Sequence, residues 1–512
     1  MSSKSSAWRR RWVAVGFAAA AAASCRRLPE RTRVLTIALP YEVTTLDPHA
    51  AFTVSNLAVL MNVYEPLAAF DADMRLVPRL ARSWENPDPE TWIFHLRPGV
   101  RFHGGKSFSA ADVVYSFERL RKRTDFEMSG FLVSIDRVDA VDPATVRVRT
   151  RTPSPILLNK LASVAIVPDG ATDAGLANGA DGTGPFRLRR FHAETVELLR
   201  NERYWGARPF ASEAVYRLGQ SADRALGLVR ERSAGLALCN TRAIGGPGAS
   251  YRVLRAPDVF VKHLGFDLGS ESVGGGPNPF RDIRVRRAID LAIDREALVA
   301  ALPAPAVPAR QLTPAFIFGY DPALPARPPD RAEAVRLLAA AGFPNGFEIG
   351  LDVRRLFEPA AREVARQLAL VGIRARVWVH SDLEMASSDA RRSLAFFLDR
   401  FGCTSGDISD VLDDVIHTAE PERHFGLYNT VGYSNRDIDA MIEESDATVE
   451  PTLRRDRLHR IVEAVSRDLV IVPLYVDEDV YAVDRSFRWR PRDDGMVLAA
   501  EVRRADGTAE PQ

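Results

Sequence analysis

The chain has 512 residues, 46% hydrophobic and 26% charged, and its 68 Lys+Arg against 67 Asp+Glu leave a net charge of +1. That length exceeds what one hydrophobic core serves and predicts two or three domains. The even balance offers no basic excess for nucleic acid and no acidic solvating tail.

At the N-terminus, Arg9-Arg10-Arg11 precede the apolar run Trp12–Ala23. The run is too short to span a bilayer, which takes roughly 20 residues, but it suits the core of an export signal. Ala22-Ala23-Ser24-Cys25 follows, small residues leading to a cysteine. This resembles a bacterial lipobox, in which Cys25 becomes a lipid-modified N-terminus. Residues 1–25 then form a lipoprotein-type signal peptide and 26–33 an exposed tether. Only Cys239 and Cys403 remain beyond it, which is no disulfide framework.

Val34–Leu39 reads as a buried strand stopped by Pro40. Trp92, Phe94 and Leu96 alternate with polar or less buried neighbours in a second strand, which Pro98-Gly99 turns away. Ser109 opens a helix with Ala110, Val113, Val114 and Phe117 on one face. Val285, Ala288, Ile289 and Ala292 repeat that spacing. Asp330 and Glu333 form an acidic variant of the capping box. Behind them Ala334, Leu337, Leu338 and Ala341 make a buried stripe that Gly342 ends. Pro344-Asn345-Gly346 turns into the strand Phe347–Val353, a helix follows over Pro359–Val371, and Ile373–Val379 is the next strand. Alternation of this kind indicates α/β layers. Residues 269–279 and 303–329, rich in Gly, Pro and Ala, read as surface loops.

The nine histidines are scattered without metal-ligand spacing, so no metal or cofactor is expected. No Walker A motif is present. Gly402-Cys403-Thr404-Ser405-Gly406 is one substitution from the G-x-S-x-G nucleophile elbow, with Thr404 in the serine's place. A hydrolase using Thr404 or Cys403 is one reading of that stretch; a ligand-binding loop is another.

Several segments together resemble the family 5 extracellular solute-binding proteins of ABC transporters, which include oligopeptide-, dipeptide- and nickel-binding proteins. They are LDPHAA (46–51), NVYEPLAAFD (62–71), PRLARSWE (78–85), TWIFHLRPGVRFHGG with FSAADVVYSFERL, GTGPFRL with RNERYWG (200–206), PFRDIRVRRAIDLAIDREALV (279–299), RAEAVRLLAAAGFPNGFEI and YSNRDIDAMI. Their order runs from Val34 to Val502.

The resemblance implies an α/β, type II periplasmic-binding-protein fold: two lobes joined by a hinge, with an extra α/β subdomain in lobe I. Lobe I would comprise 34–52, 183–262 and 475–512, the subdomain 53–182, and lobe II 263–474. The chain would cross between lobes near 263–267 and 473–476. Closure of the lobes would capture a peptide-like or other small polar solute and deliver it to the permease subunits of an ABC importer. The implied protein is a monomer, lipid-anchored through Cys25 in the periplasm or at the cell surface, and catalyses nothing. A ligand sensor or chaperone-like binding protein of the same fold is the alternative.

Carried over by local match, Arg355 stands where dipeptide binders place the arginine that meets the peptide carboxylate, with Phe357 as a neighbouring aromatic; a plain solvated arginine is the other reading. Lobe I would contribute from the loop after its first strand, with Tyr41, Glu42, Thr44 and Thr45. The stretch Arg400–Asp410 aligns with the lobe-II loop that grips the peptide amine, commonly W-x-G-D-x-x-D-P. Here the tryptophan and proline are missing. Arg400, Cys403, Thr404 and Ser405 occupy it, Ser405 stands near the missing aspartate, and Asp407 could serve if the gap falls differently.

Overall fold

The computed structural model describes residues 33–506 apart from 124, 193, 243, 246–248, 382–383 and 386–393. The expected signal peptide, the expected lipobox at Cys25 and nearly all of the expected tether lie outside the described residues. Among the described residues no helix is long and apolar enough to cross a membrane.

Local sequence signals translate directly into elements. Val34–Ala38 is a strand, parallel to Glu213–Arg217 on one side and Leu236–Leu238 on the other. Thr91–Leu96 is central in an antiparallel four-stranded sheet. The helix Ala110–Lys122 starts at Ser109, whose backbone N–H donates to Asp112 Oδ2 at 2.8 Å, closing the capping box. Arg331–Ala340 starts where Glu333 N donates to Asp330 Oδ1. Ala334 and Leu338 are fully buried, while Leu337 and Ala341 pack more loosely at the edge of the same core. Glu358–Ala369 is the next helix, entered through a single 3-10 turn at Arg355–Phe357.

The presumed loops contain short paired segments. Ser272–Val273 pairs with Gly276–Pro277. Ala306–Pro308 adds to the main sheet against Tyr475–Asp477. Proline is tolerated there because an edge strand leaves one side of its backbone unpaired.

One eleven-stranded sheet runs through the whole molecule. Its order is 373–380, 347–354, 396–402, 251–266, 471–484, 236–238, 34–38, 213–217, 195–200 and 186–192, with 306–308 to the side. Tyr251–Phe266 and Ile471–Asp484 are the two long members, paired antiparallel. Each belongs to both halves. The 481–483 end of the second pairs with Leu236–Leu238, and Phe260–Phe266 of the first pairs with Phe396–Gly402. The register slips between Pro257 and Val261 and again between Lys262 and His263. Such irregularities bend and twist a ladder locally.

Separate cores flank this junction. One surrounds Ile37, Tyr64, Phe186, Tyr216 and Tyr481. A second holds Phe266, Phe280, Ile289, Leu351, Val364 and Phe396. Within it Phe266 and Phe396 stack at 5.6 Å between ring centroids. Offset aromatic pairs of this kind contribute about 0.5–1.5 kcal/mol beyond area burial. The subdomain has its own core of Phe94, Phe117, Val146, Val148 and Leu157.

The LDPH motif ties the subdomain to the first core. Arg119 donates to Asp47 at 3.1 Å, to His49 Nδ1 at 2.9 Å and to Asp173 at 3.2 Å. Burial pushes the His49 imidazole down to about 4. It therefore stays neutral, accepting from Arg119 at Nδ1 and donating to the Ala165 carbonyl at Nε2. The GTG turn docks nearby. A Cβ on Gly182 or Gly184 would overlap the backbone of Asn62 and Val63, so only glycine permits the approach.

Candidate functional site

The first strand delivers Tyr41 to the junction between the lobes. Gly219 N donates to the Tyr41 carbonyl, anchoring the loop behind it. Thr44 N and Oγ1 are both bonded to the Asn56 side chain, and Thr45 Oγ1 accepts from Asp47 N. These two threonines shape the loop, while Glu42 and Thr44 remain exposed. The Tyr41 phenol is raised far above its usual range by burial and by the charges of Asp479 and Asp258, with Arg400 acting in the opposite sense. Charges from three other segments thus act on one hydroxyl.

On the opposite wall, Phe396–Gly402 pairs with the crossing strand so that Arg400 faces Lys262 and Gly402 faces Phe260. A Cβ on Gly402 would lie 2.5 Å from the Phe260 ring. Its absence lets that ring lie against the strand. The Arg400 guanidinium sits 4.5 Å from the Phe260 centroid and 6.0 Å from that of Phe357. Phe357 is buried in the lobe core, and Arg355, two residues earlier, points out to solvent. The two residues expected side by side therefore play different parts. Arg354, which sequence reasoning passed over, is bonded to Asp399 at 3.0 Å and to the Met385 carbonyl at 2.9 Å.

The stretch 403–410 corrects two expectations. Cys403 is 1% exposed within the helical core of the second lobe. Burial, aided by Asp410 and Asp407, pushes its thiol well above the ordinary range. A thiol held protonated in an apolar setting is a poor nucleophile, so Cys403 is a packing residue. Asp407 is 3% exposed and grips Arg454 through both oxygens, at 2.6 and 2.9 Å. A carboxylate spent on a buried bidentate pair has no free face for a ligand amine. Ser405 is buried, with N donating to Asp410 Oδ2 and its carbonyl accepting from Asn159 Nδ2 at 2.8 Å. Thr404 is half-buried.

Asn159 lies on the short helix Leu157–Leu161, and a Cβ on Gly406 would lie 3.3 Å from Met74 and 3.5 Å from the Phe70 ring. Phe70, Met74 and Ala162 share a core with Cys403, Ile408, Val411 and Leu412. The loop is thus held by residues distant in sequence.

At the register slip lies a charge cluster that sequence reasoning missed. Lys262 is fully buried, 2.7 Å from Asp477 and 3.4 Å from Asp258, with the Phe260 carbonyl at 3.2 Å. Asp479 is pushed up to about 6, first by burial and then by Asp258. It accepts from Asn240 Nδ2 and Tyr481 OH, each at 3.1 Å. The signal was present as charges interrupting apolar strand runs, VFVKHLGF and IVPLYVDEDVYAV. Among the described residues no group of three or more His, Cys, Asp or Glu is arranged to hold a metal ion.

Two α/β lobes strung on a pair of shared crossing strands, with a subdomain added to the first, define a type II periplasmic binding protein. Residues 75–416 match the family model described as bacterial extracellular solute-binding proteins, family 5 middle. The chain belongs to this family, whose members capture solutes for ABC importers. It is 28% identical to the glutathione-binding protein GsiB of Pectobacterium atrosepticum, over 88% of this chain and 90% of that one. Its structure is similar to HbpA2 from Haemophilus parasuis, at a TM-score of 0.79 and 20% identity over 92% of this chain and 99% of that one. It is also similar to DppA from Helicobacter pylori in complex with the peptide STSA, at 0.74 and 21% over 92% and 98%.

Proposed function

We propose that the protein captures a small polar, peptide-like solute between its lobes outside the cytoplasmic membrane and hands it, unreacted, to the permease of an ABC importer. The observation that carries this reading is the pair of long strands, Tyr251–Phe266 and Ile471–Asp484, that run between two separately cored lobes. The names of the relatives, which specify glutathione and a peptide, support the peptide-like class. We assign lobe I to 34–52, 183–262 and 475–512, the subdomain to 53–182 and lobe II to 263–474. The hinge falls at the two register slips of 257–263, opposite 473–478. Tyr41, Glu42, Arg355, Arg400 and Thr404 line the cleft, with Phe357 as support beneath Arg400. Cys403 and Asp407 are not among them.

Capture follows from differential contact: a ligand favours the closed form only by contacts it makes there and not in the open one. The test is calorimetric titration of ligand-stripped protein with reduced glutathione and with the peptide Ser-Thr-Ser-Ala, followed by small-angle scattering. We expect 1:1 binding of at least one, a smaller radius of gyration and intact peptide afterwards. Absence of binding by both, together with no cargo in native mass spectra, would overturn the peptide-like class; cleaved peptide would overturn the non-enzymatic reading.

Export and anchoring belong to the same proposal. The protein works as a monomer held to a bacterial membrane by lipid on Cys25. Cys25→Ser is expected to move it from the membrane fraction to the soluble extracytoplasmic fraction; retention in membranes would remove the anchor.

A further inference from the structure

We infer that the protein has a second ligand site, separate from the solute cleft: a cavity between the subdomain and the C-terminal segment that takes a small organic anion with an apolar body.

The cavity has a volume of about 180 Å³. A dry cavity of about 150 Å³ already accommodates benzene, so this one has room for a single ring or a short aliphatic chain. Its walls come from the helix Val54–Leu60 and the residues after it, from the hairpin that pairs Ala68–Phe70 with Leu76–Pro78, and from 492–503. No described residue of 263–474 lines it, and neither does Tyr41. Closure of the lobes therefore does not enclose what the cavity holds, and a molecule there need not be the transported solute. Leu57, Met61, Phe70, Met496 and Leu498 supply apolar surface, and the exposed residues Ala207 and Arg503 mark the mouth.

The charges in the wall are unevenly committed. Glu65 is 3% exposed, and its carboxyl oxygens accept from Tyr204 OH at 2.7 Å, Trp205 Nε1 at 2.8 Å and Thr183 Oγ1 at 2.9 Å. Arg492 is buried, donating to Glu501 Oε1 at 2.7 Å, to Asp494 Oδ1 at 2.9 Å and to the Phe70 carbonyl at 2.9 Å. Both are satisfied within the protein. Arg79 is different. It lies near enough to Glu65 for the two charges to interact, but its guanidinium makes no hydrogen bond or ion pair with a described residue. Arg503 donates only to the carbonyls of Ala500 and Val502 among the described residues.

With Arg492 balanced by Glu501, two guanidinium groups face the one carboxyl of Glu65, whose oxygens already accept three bonds. One positive charge in the wall is left without a counter-charge. An arginine fork beside a mainly apolar surface is matched by a carboxylate on a hydrocarbon body. A single negative charge balances the wall, whereas a second would meet Glu65 and Glu501.

The probe is benzoate, with benzamide as its neutral counterpart, titrated by calorimetry into ligand-stripped protein. Wild type should bind one benzoate, on the order of 10-fold or more tighter than benzamide, the usual gain for a hydrogen bond to a charged group. Arg79→Gln should keep the wild-type thermal midpoint and weaken benzoate by a similar factor. Methionine-methyl NMR then places the ligand, independently of any variant. Benzoate should shift the signals of Met61 and Met496, assigned by Met61→Leu and Met496→Leu, and leave those of Met385 and Met441 in the second lobe unmoved. The site is overturned if benzoate shows no saturable binding, if benzamide binds equally well, if Arg79→Gln binds as wild type does, or if the shifts fall on Met385 or Met441. None of these outcomes depends on which solute occupies the cleft between the lobes.

Discussion

Arg454→Ala is expected to destabilise the protein by about 3–5 kcal/mol, the range for breaking a buried ion pair from one side. Arg454 is 3% exposed on the helix Pro451–Asp468 and donates to both oxygens of Asp407 and to Ser409 Oγ at 2.7 Å. Its removal strands the Asp407 charge among Asp410, Asp413 and Asp446. Those neighbours are already crowded, with Asp410 and Asp446 each pushed up to about 6, chiefly by burial. Because the folded state holds their protons more tightly than the unfolded chain, their contribution to stability is complete below about 4. It is lost as pH rises through about 6. The variant should therefore suffer more at pH 8 than at pH 5. Denaturant unfolding at both values checks this, and a variant that unfolds at the wild-type midpoint would refute the interior role of Asp407. Ligand affinity of the folded fraction should not change, which separates packing from recognition.

Lys262→Met is the second large effect, again about 3–5 kcal/mol. The ammonium bridges Asp258 on one crossing strand and Asp477 on the other, at the slip where the ladder bends. Without it three carboxylates, including Asp479, face one another with no counter-ion between them. The remaining repulsion should ease as pH falls through about 6, where Asp479 takes up its proton. Adding Asp477→Asn should recover part of the loss, since contacting residues couple. Unchanged stability, or a double variant no better than the single one, would show that the lysine does not hold the strands. The same variant should alter the distribution of open and closed forms seen by small-angle scattering, because its partners lie on the two crossing strands.

How legible the molecule was depended on the range of each interaction. Ser109 with Asp112, and Asp330 with Glu333, lie within one helical turn of each other, and both helices begin where those residues predict. The strands at 34, 91, 347 and 373 are announced by apolar alternation or by a turn immediately before them. The fold class was readable from the order of many such segments. The cleft was not. Phe357 and Arg355 are two residues apart, yet one enters the core and the other meets solvent, since a 3-10 turn follows no long apolar period. Ala306–Pro308 reads as loop because its partner lies about 170 residues away.

The stretch RFGCTSGDISD shows the division most plainly. By itself the sequence predicted an export signal, determined that the chain has α/β lobes of the solute-binding type, and showed that the stretch lacks the usual amine-gripping pattern. Only the tertiary structure decided what each side chain does there. Cys403 is enclosed by apolar groups that include subdomain residues, Asp407 is claimed by Arg454 on a later helix, and Arg400 is set on a ring from the crossing strand. Charge and hydroxyl groups in a loop have no periodicity to orient them. Their direction is chosen by whichever distant partner offers the better-satisfied burial, and that partner is known only once the chain has folded.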